Sequence, residues 1–149
     1  MIDKEDLCLQ NGCVKCCLNT EMMLSNSDIK RIERLGFTDF VVAKGNGVRQ
    51  LKNLMRRCVF HNGQRCTIYR YRPEGCRLYP AIFDLDKSKT VLDRHCPHHR
   101  EFRLTPQVSR KIIRLLRKLS AERKSRTDCT CGGRRKKNEP VLSRVARAP

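Results

Sequence analysis

Four cysteines fall within ten residues, Cys8-Leu-Gln-Asn-Gly-Cys13-Val-Lys-Cys16-Cys17, and this stretch constrains the chain more than any other. Four more follow singly at Cys58, Cys66, Cys76 and Cys96. Cys129 and Cys131 bring the total to ten in 149 residues. Trp is absent, and there are only five Phe and three Tyr. The core is therefore modest, and small cores are usually supplemented by disulfides or metal. So many cysteines imply a disulfide framework or a reduced metal site. The N-terminal Met1-Ile-Asp-Lys-Glu-Asp-Leu is acidic and polar and lacks the apolar run of a signal peptide. No stretch reaches the roughly 18 apolar residues of a membrane span. The expectation is a cytoplasmic, non-membrane protein whose thiols stay reduced and ligate metal.

The elements around the cysteines can be read in order. Glu21-Met-Met-Leu24 is a short strand or extended segment. Ser25 or Ser27 caps a helix in which Asp28 sits at the positive end. Ile29, Ile32 and Leu35 share one face of it, and Gly36 stops it. Residues 37–57 fit a short helix or an extended stretch, with Lys44-Gly-Asn-Gly47 as a flexible turn. Asn62-Gly63 predicts a hairpin that faces Cys58 to Cys66, with Ile68-Tyr69 continuing its second strand. Arg72-Pro-Glu-Gly75 is a turn or single helical turn leading to Cys76. Residues 81–86 and 90–93 form a second hairpin. Thr105-Pro106 opens a helix to about residue 123, with Val108, Ile112, Leu115, Leu116 and Leu119 as its apolar stripe.

Metal chemistry has its own spacing requirements. Two residues between Cys13 and Cys16 let both thiolates converge on one ion from a turn. Cys17 adds a thiol expected to point elsewhere, because adjacent side chains diverge. Eight thiolates suit two tetrahedral zinc sites or a polynuclear iron–sulfur cluster. Arg72 and Arg77 either offset the negative charge of such a centre or serve only as turn caps and carboxylate partners.

These residues carry a resemblance. The chain resembles the YkgJ-like CxxCxxCC cysteine-cluster family, a zinc- or iron-chelating domain. The resemblance rests on the cluster ending in Cys16-Cys17 and on the helix opening Leu24-Ser-Asn-Ser-Asp28-Ile29. It rests further on Cys66-Thr-Ile-Tyr69-Arg-Tyr-Arg72-Pro73-Glu-Gly-Cys76-Arg77-Leu-Tyr-Pro80 and on the late Cys96-Pro97, and spans roughly residues 8–123. It implies metal ligation by Cys8, Cys13, Cys16, Cys17, Cys58, Cys66, Cys76 and Cys96. Cys8 is the least supported, because four residues separate it from Cys13 where the family has two or three. The family is related to flagellin lysine methylases, which implies an iron–sulfur or methyltransferase-related alternative.

Other signals are weaker. His95, His98 and His99 flank Cys96 and could replace a thiolate, or simply form a polar loop. Cys129 and Cys131 could bind a soft metal or remain exposed thiols. The net charge is +18, with 18 Lys and Arg against 11 Asp and Glu up to residue 100 and 15 against 4 beyond it. Such a basic end favours polyanions, and nucleic acid is a candidate partner of the last helix and the tail. No nucleophile–base arrangement, phosphate loop or carboxylate pair is visible, so no catalytic residue is identified and an enzyme is not expected.

The fold expected is α+β. A small metal-stabilised domain of two β-hairpins and two to three helices occupies residues 1–123, and a basic disordered tail occupies 124–149. The function expected is non-catalytic binding of zinc or iron, with the metal holding the fold. An iron–sulfur or methyltransferase-related protein and a nucleic-acid-binding accessory protein are the alternatives.

Overall fold

The computed structural model describes residues 7–128. The fold is α+β. Helix α1 (Leu7–Gln10) leads into a 3-10 turn at Lys15–Cys17, and α2 (Asn26–Glu33) follows. Two antiparallel hairpins come next: β1 (Val41–Ala43) with β2 (Arg49–Leu51), and β3 (Asn53–Leu54) with β4 (Arg57–Cys58). A 3-10 turn at Tyr69–Tyr71 precedes α3 (Glu74–Leu78). The third hairpin pairs β5 (Ala81–Asp84) with β6 (Lys89–Leu92), and a 3-10 turn at His99–Glu101 leads to α4 (Pro106–Asp128). The described residues thus hold three two-stranded hairpins where two were expected.

Residues 21–24 divide the core. Met22 and Leu24 pack with Ile29, Ile32, Phe40, Leu51, Phe60 and Ile68. Met23 packs with Val48, Leu78, Ala81 and the α4 residues Ile112, Leu115, Leu116 and Leu119. Alternate side chains of an extended backbone point to opposite faces, which sends Met23 away from its neighbours. The segment is anchored on β2 by Leu24 N–H to the Arg49 carbonyl (2.8 Å) and Leu51 N–H to the Met22 carbonyl (2.9 Å).

Helix α2 starts as its sequence requires. The Ser25 hydroxyl accepts from Asp28 N–H, and the Asp28 carboxylate accepts from Ser25 N–H, a capping box. Gly36 lies just beyond the helix end, at φ +91°. Leu35 is 39% exposed, so it does not share the buried face of Ile29 and Ile32. The reason is that α2 stops at Glu33, before the periodicity can carry Leu35 inward.

Three further expectations are corrected. Arg57–Cys58 pairs backward with Asn53–Leu54, and Cys58 does not face Cys66 across a hairpin. Cys66 instead makes an isolated bridge with His61 around the Asn62-Gly63 turn. Tyr69 begins a 3-10 turn and continues no strand. Helix α4 runs to Asp128, five residues beyond the expected end. The β1–β2 turn holds that extra length: Arg123 Nε and Arg126 Nη1 donate to the Asn46 and Gly47 carbonyls at 2.9 and 3.0 Å. A Cβ on Gly47 would stand 2.9 Å from the Thr127 methyl, so only glycine allows this approach. The disorder expected of residues 124–149 is therefore corrected over 124–128, which are helical; the rest of that expectation, and those for Cys129 and Cys131, lie outside the described residues.

Candidate metal centre

Short-range backbone contacts shape the first cysteine stretch. After α1, Cys13 N–H returns to the Cys8 carbonyl (2.9 Å), and Cys17 N–H bonds the Val14 carbonyl (2.9 Å) to close the 3-10 turn. The stretch is then fastened to the β3–β4 hairpin. Asn53 accepts from Thr20 N–H at 3.1 Å and donates to the Thr20 carbonyl at 2.8 Å, and Asn19 N–H reaches the Arg56 carbonyl at 2.7 Å. The hairpin that carries Cys58 therefore also holds the chain leaving Cys17.

Arg72 and Cys76 are positioned by α2. The buried Asp28 carboxylate accepts from Glu74 N–H at 3.1 Å, which satisfies a free donor at the start of α3. It also holds Arg31 at 2.7 Å, and Arg31 Nη2 donates to the Arg72 carbonyl at 3.1 Å. Gly75 lets α3 approach the extended segment, since a Cβ there would collide with Met22 Sδ. The resulting chain path places Cys76 beside the core that Cys17, Cys58 and Cys66 also touch.

Cys8, Cys13, Cys16, Cys17, Cys58, Cys66 and Cys76 line one cavity of about 410 Å³. Both members of the Cys16-Cys17 pair line it, contrary to the expectation that Cys17 diverges, and their thiols share a hydrogen bond. Cys96 is buried behind it, against Leu7 and Phe102. All eight described cysteines are free thiols. Among the described residues, no three His, Cys, Asp or Glu side chains stand together as a ready-made ligand group; the thiols ring the cavity instead.

Electrostatics single out Cys16. A hydrogen bond from the Cys17 thiol lowers Cys16 to about 7, and the same bond, with burial, pushes Cys17 up. Burial raises Cys8 and Cys58 to about 11 and raises Cys66, Cys76 and Cys96 as well. Negative charge on Cys16 adds to the rise at each of these five and at Cys17. Cys16 is thus the thiol whose charge is felt by the six others with raised values.

The donor set fits a thiophilic cation. A second observation supports the fit. Arg72 is 9% exposed, lines the cavity and lies 3.7 Å over the Tyr69 ring, yet its Nε and Nη1 have no hydrogen-bond acceptor. Buried guanidinium donors need negative charge, and thiolates in the cavity would supply it. Arg77 instead donates to the Arg70 carbonyl at 2.6 Å, the structural role weighed for it.

The three flanking histidines are not brought to the cavity. Their Nδ1 atoms lie 3.0 Å from Asp93 for His95, 2.7 Å from Glu101 for His98 and 2.8 Å from the Cys96 carbonyl for His99. The histidine that does line the cavity is His61, which the sequence reading passed over. Burial and the nearby Arg57 lower its pKa. The signal was its place in the Cys58–Cys66 turn, three residues after a cysteine.

The cysteine order and this arrangement agree with a family model, "CxxCxxCC: Putative zinc- or iron-chelating domain", which matches residues 7–97. The chain belongs to the CxxCxxCC family. The match is shorter than the span expected from the resemblance: it ends at Cys96-Pro97, and α4 lies beyond it. Neither the curated proteins nor the solved structures gave a match. The family's description makes zinc or iron the metals in question. Among the described residues, no helix is long and apolar enough to cross a membrane.

Proposed function

We propose that this CxxCxxCC domain binds zinc or iron through Cys8, Cys13, Cys16, Cys17, Cys58, Cys66, Cys76 and Cys96, and that the metal holds the fold without catalysis. The observation that carries this reading is the cavity itself. Seven thiols from four separate chain segments line it, together with two guanidinium donors that have no acceptor. Ligands drawn from segments this far apart would tie α1, β4 and α3 together, so binding free energy would become folding free energy. Zinc would supply a closed structural cross-link, and an iron–sulfur cluster would supply an electron-transfer centre. Free thiols on this scale suit a reducing compartment such as the cytoplasm.

The seven thiols that line the cavity exceed the four that one tetrahedral ion takes, which favours more than one metal ion. This keeps the iron–sulfur reading as the second possibility. The test is anaerobic purification followed by elemental analysis, an absorption spectrum and circular dichroism before and after chelation. We expect tightly bound zinc or iron whose removal abolishes the fold. Absorption near roughly 400 nm would assign an iron–sulfur cluster, and about two zinc per chain without colour would assign the structural reading. A metal-free, fully folded protein would overturn both.

A nucleic-acid role is supported by one feature only, the exposed Arg110, Lys111, Arg114 and Arg117 on α4. If it holds, charge reversal at these four positions should reduce the salt slope of RNA retention, and an unchanged slope would reject it.

A further inference from the structure

His61 is 8% exposed and lines the cysteine cavity. Its Nδ1 accepts a hydrogen bond from Gly63 N–H at 3.1 Å. A ring nitrogen that accepts carries no proton, so the proton of the neutral imidazole sits on Nε2. Nε2 is buried and has no acceptor. Arg72 Nε and Nη1 share that condition in the wall of the same cavity. Two side chains that line a space ringed by thiols thus carry three buried donor atoms without an acceptor. Buried donors are rarely left unpaired, and these have sulfur as their available acceptor.

The tautomer decides between two roles for His61. To ligate metal through Nε2, the ring would have to carry its proton on Nδ1, which would set Nδ1–H against Gly63 N–H. To donate through Nε2, the ring keeps its tautomer, and only a sulfur has to come within reach. The register names the acceptor. His61 and Cys66 are partners in an antiparallel bridge, and directly opposed residues project from the same face. Resting on the metal-binding reading above, we propose that His61 is a positioning residue that donates its Nε2–H to the Cys66 thiolate when metal is bound, with Arg72 as the second donor to the thiolate centre. The ring is then a hydrogen-bond clamp on a ligand and not itself a ligand. A thiolate that accepts such a bond holds less available charge, so the clamp both fixes the direction of the Cys66 sulfur and lowers its reactivity toward electrophiles.

The test uses the full chain loaded with zinc or cobalt(II), comparing wild type, His61→Leu and His61→Gln. Glutamine retains an N–H donor near the Nε2 position. Three quantities are measured: metal per chain, affinity by competition with a chromophoric chelator, and the alkylation rate of Cys66 by iodoacetamide, read by peptide mass spectrometry. We expect His61→Leu to keep the wild-type metal content, to lose about 10- to 100-fold in affinity and to expose Cys66 to faster alkylation. His61→Gln should recover most of both losses. Loss of a metal equivalent in either variant, together with a changed cobalt ligand-field spectrum, would make His61 a ligand and overturn the proposal. Unchanged affinity and unchanged Cys66 alkylation in His61→Leu would overturn it as well. Should His61→Leu fail to fold, His61→Gln decides: full loading with a protected Cys66 supports the clamp, and reduced metal content overturns it. Wild-type protein that takes up neither zinc nor cobalt(II) and that carries no iron after anaerobic purification would defeat the metal-binding reading itself, a result distinct from normal loading with an indifferent His61.

Discussion

Asp28 is the residue on which most of the framework turns. One buried carboxylate receives Ser25 N–H, the Ser25 hydroxyl, Glu74 N–H and the Arg31 guanidinium. Two of these partners belong to α2's own cap, and the other two reach the Arg72–Cys76 segment directly or through Arg31. Asp28→Ala would leave several buried donors unpaired, and we expect it to destabilise the protein by about 3 kcal/mol. Chemical denaturation measures this directly; a loss under about 1 kcal/mol would show that water replaces the carboxylate. The thiols make a second prediction at this scale. With Cys8 and Cys58 near 11 and Cys16 near 7, most of the proposed ligands are protonated at neutral pH and would have to release protons to bind metal. Apparent zinc affinity should therefore fall as the pH drops from 8 to 6, with more than one proton released per zinc in a calorimetric buffer series. A pH-independent affinity would mean that the thiols are not the ligands. The sequence left the cap open between Ser25 and Ser27 and placed Asp28 at the positive end of the helix; the structure assigns the cap to Ser25, with Asp28 completing the capping box. The reach of Asp28 to Glu74 could not be read from the sequence, because it joins positions 46 residues apart with nothing local to mark them.

Among the elements, the β3–β4 hairpin is the least expected. Its loop is Met55-Arg56, both at positive φ (49° and 63°), and Met55 is 92% exposed. Two-residue loops of this hand favour Asn-Gly, since side-chain-bearing residues are strained there. No glycine or asparagine announced the turn, so residues 37–57 offered no clear assignment. Asn62-Gly63 did announce a turn and drew the expected hairpin to the wrong strands. Replacing Met55 by Asn and Arg56 by Gly should stabilise the protein by about 1 kcal/mol if the hairpin serves only the fold. Thermal unfolding of the metal-loaded double variant checks this, and lower stability would mean that Met55 or Arg56 makes a contact worth more than the strain. The elements with complete local signals were legible in advance. Helix α4 had its Thr105 cap, proline start and apolar stripe, and β5–β6 had two apolar runs across a polar turn. The end of α4 was not legible, because its last turn is held by the distant β1–β2 loop.

For the whole molecule, the cysteines were legible as a set and their arrangement was not. Spacing marked Cys13 and Cys16, but only the fold shows seven of the thiols lining one cavity and Cys96 set apart from it against Leu7. The packing of Leu7 on Cys96 and Phe102 brings the start of the family-matched region onto its end. That closure has a consequence for biosynthesis. A ribosome delivers Cys8 to Cys17 first, and Cys96 only after some eighty further residues have been added. On the proposed ligand set, an ion captured by the first four thiols before then would be held by an incomplete shell. The proposed centre would be complete only once translation has passed residue 96, near the end of synthesis or after it. A nascent chain arrested before that point should bind zinc weakly and exchange it quickly, and one arrested after release of residue 102 from the exit tunnel should retain it.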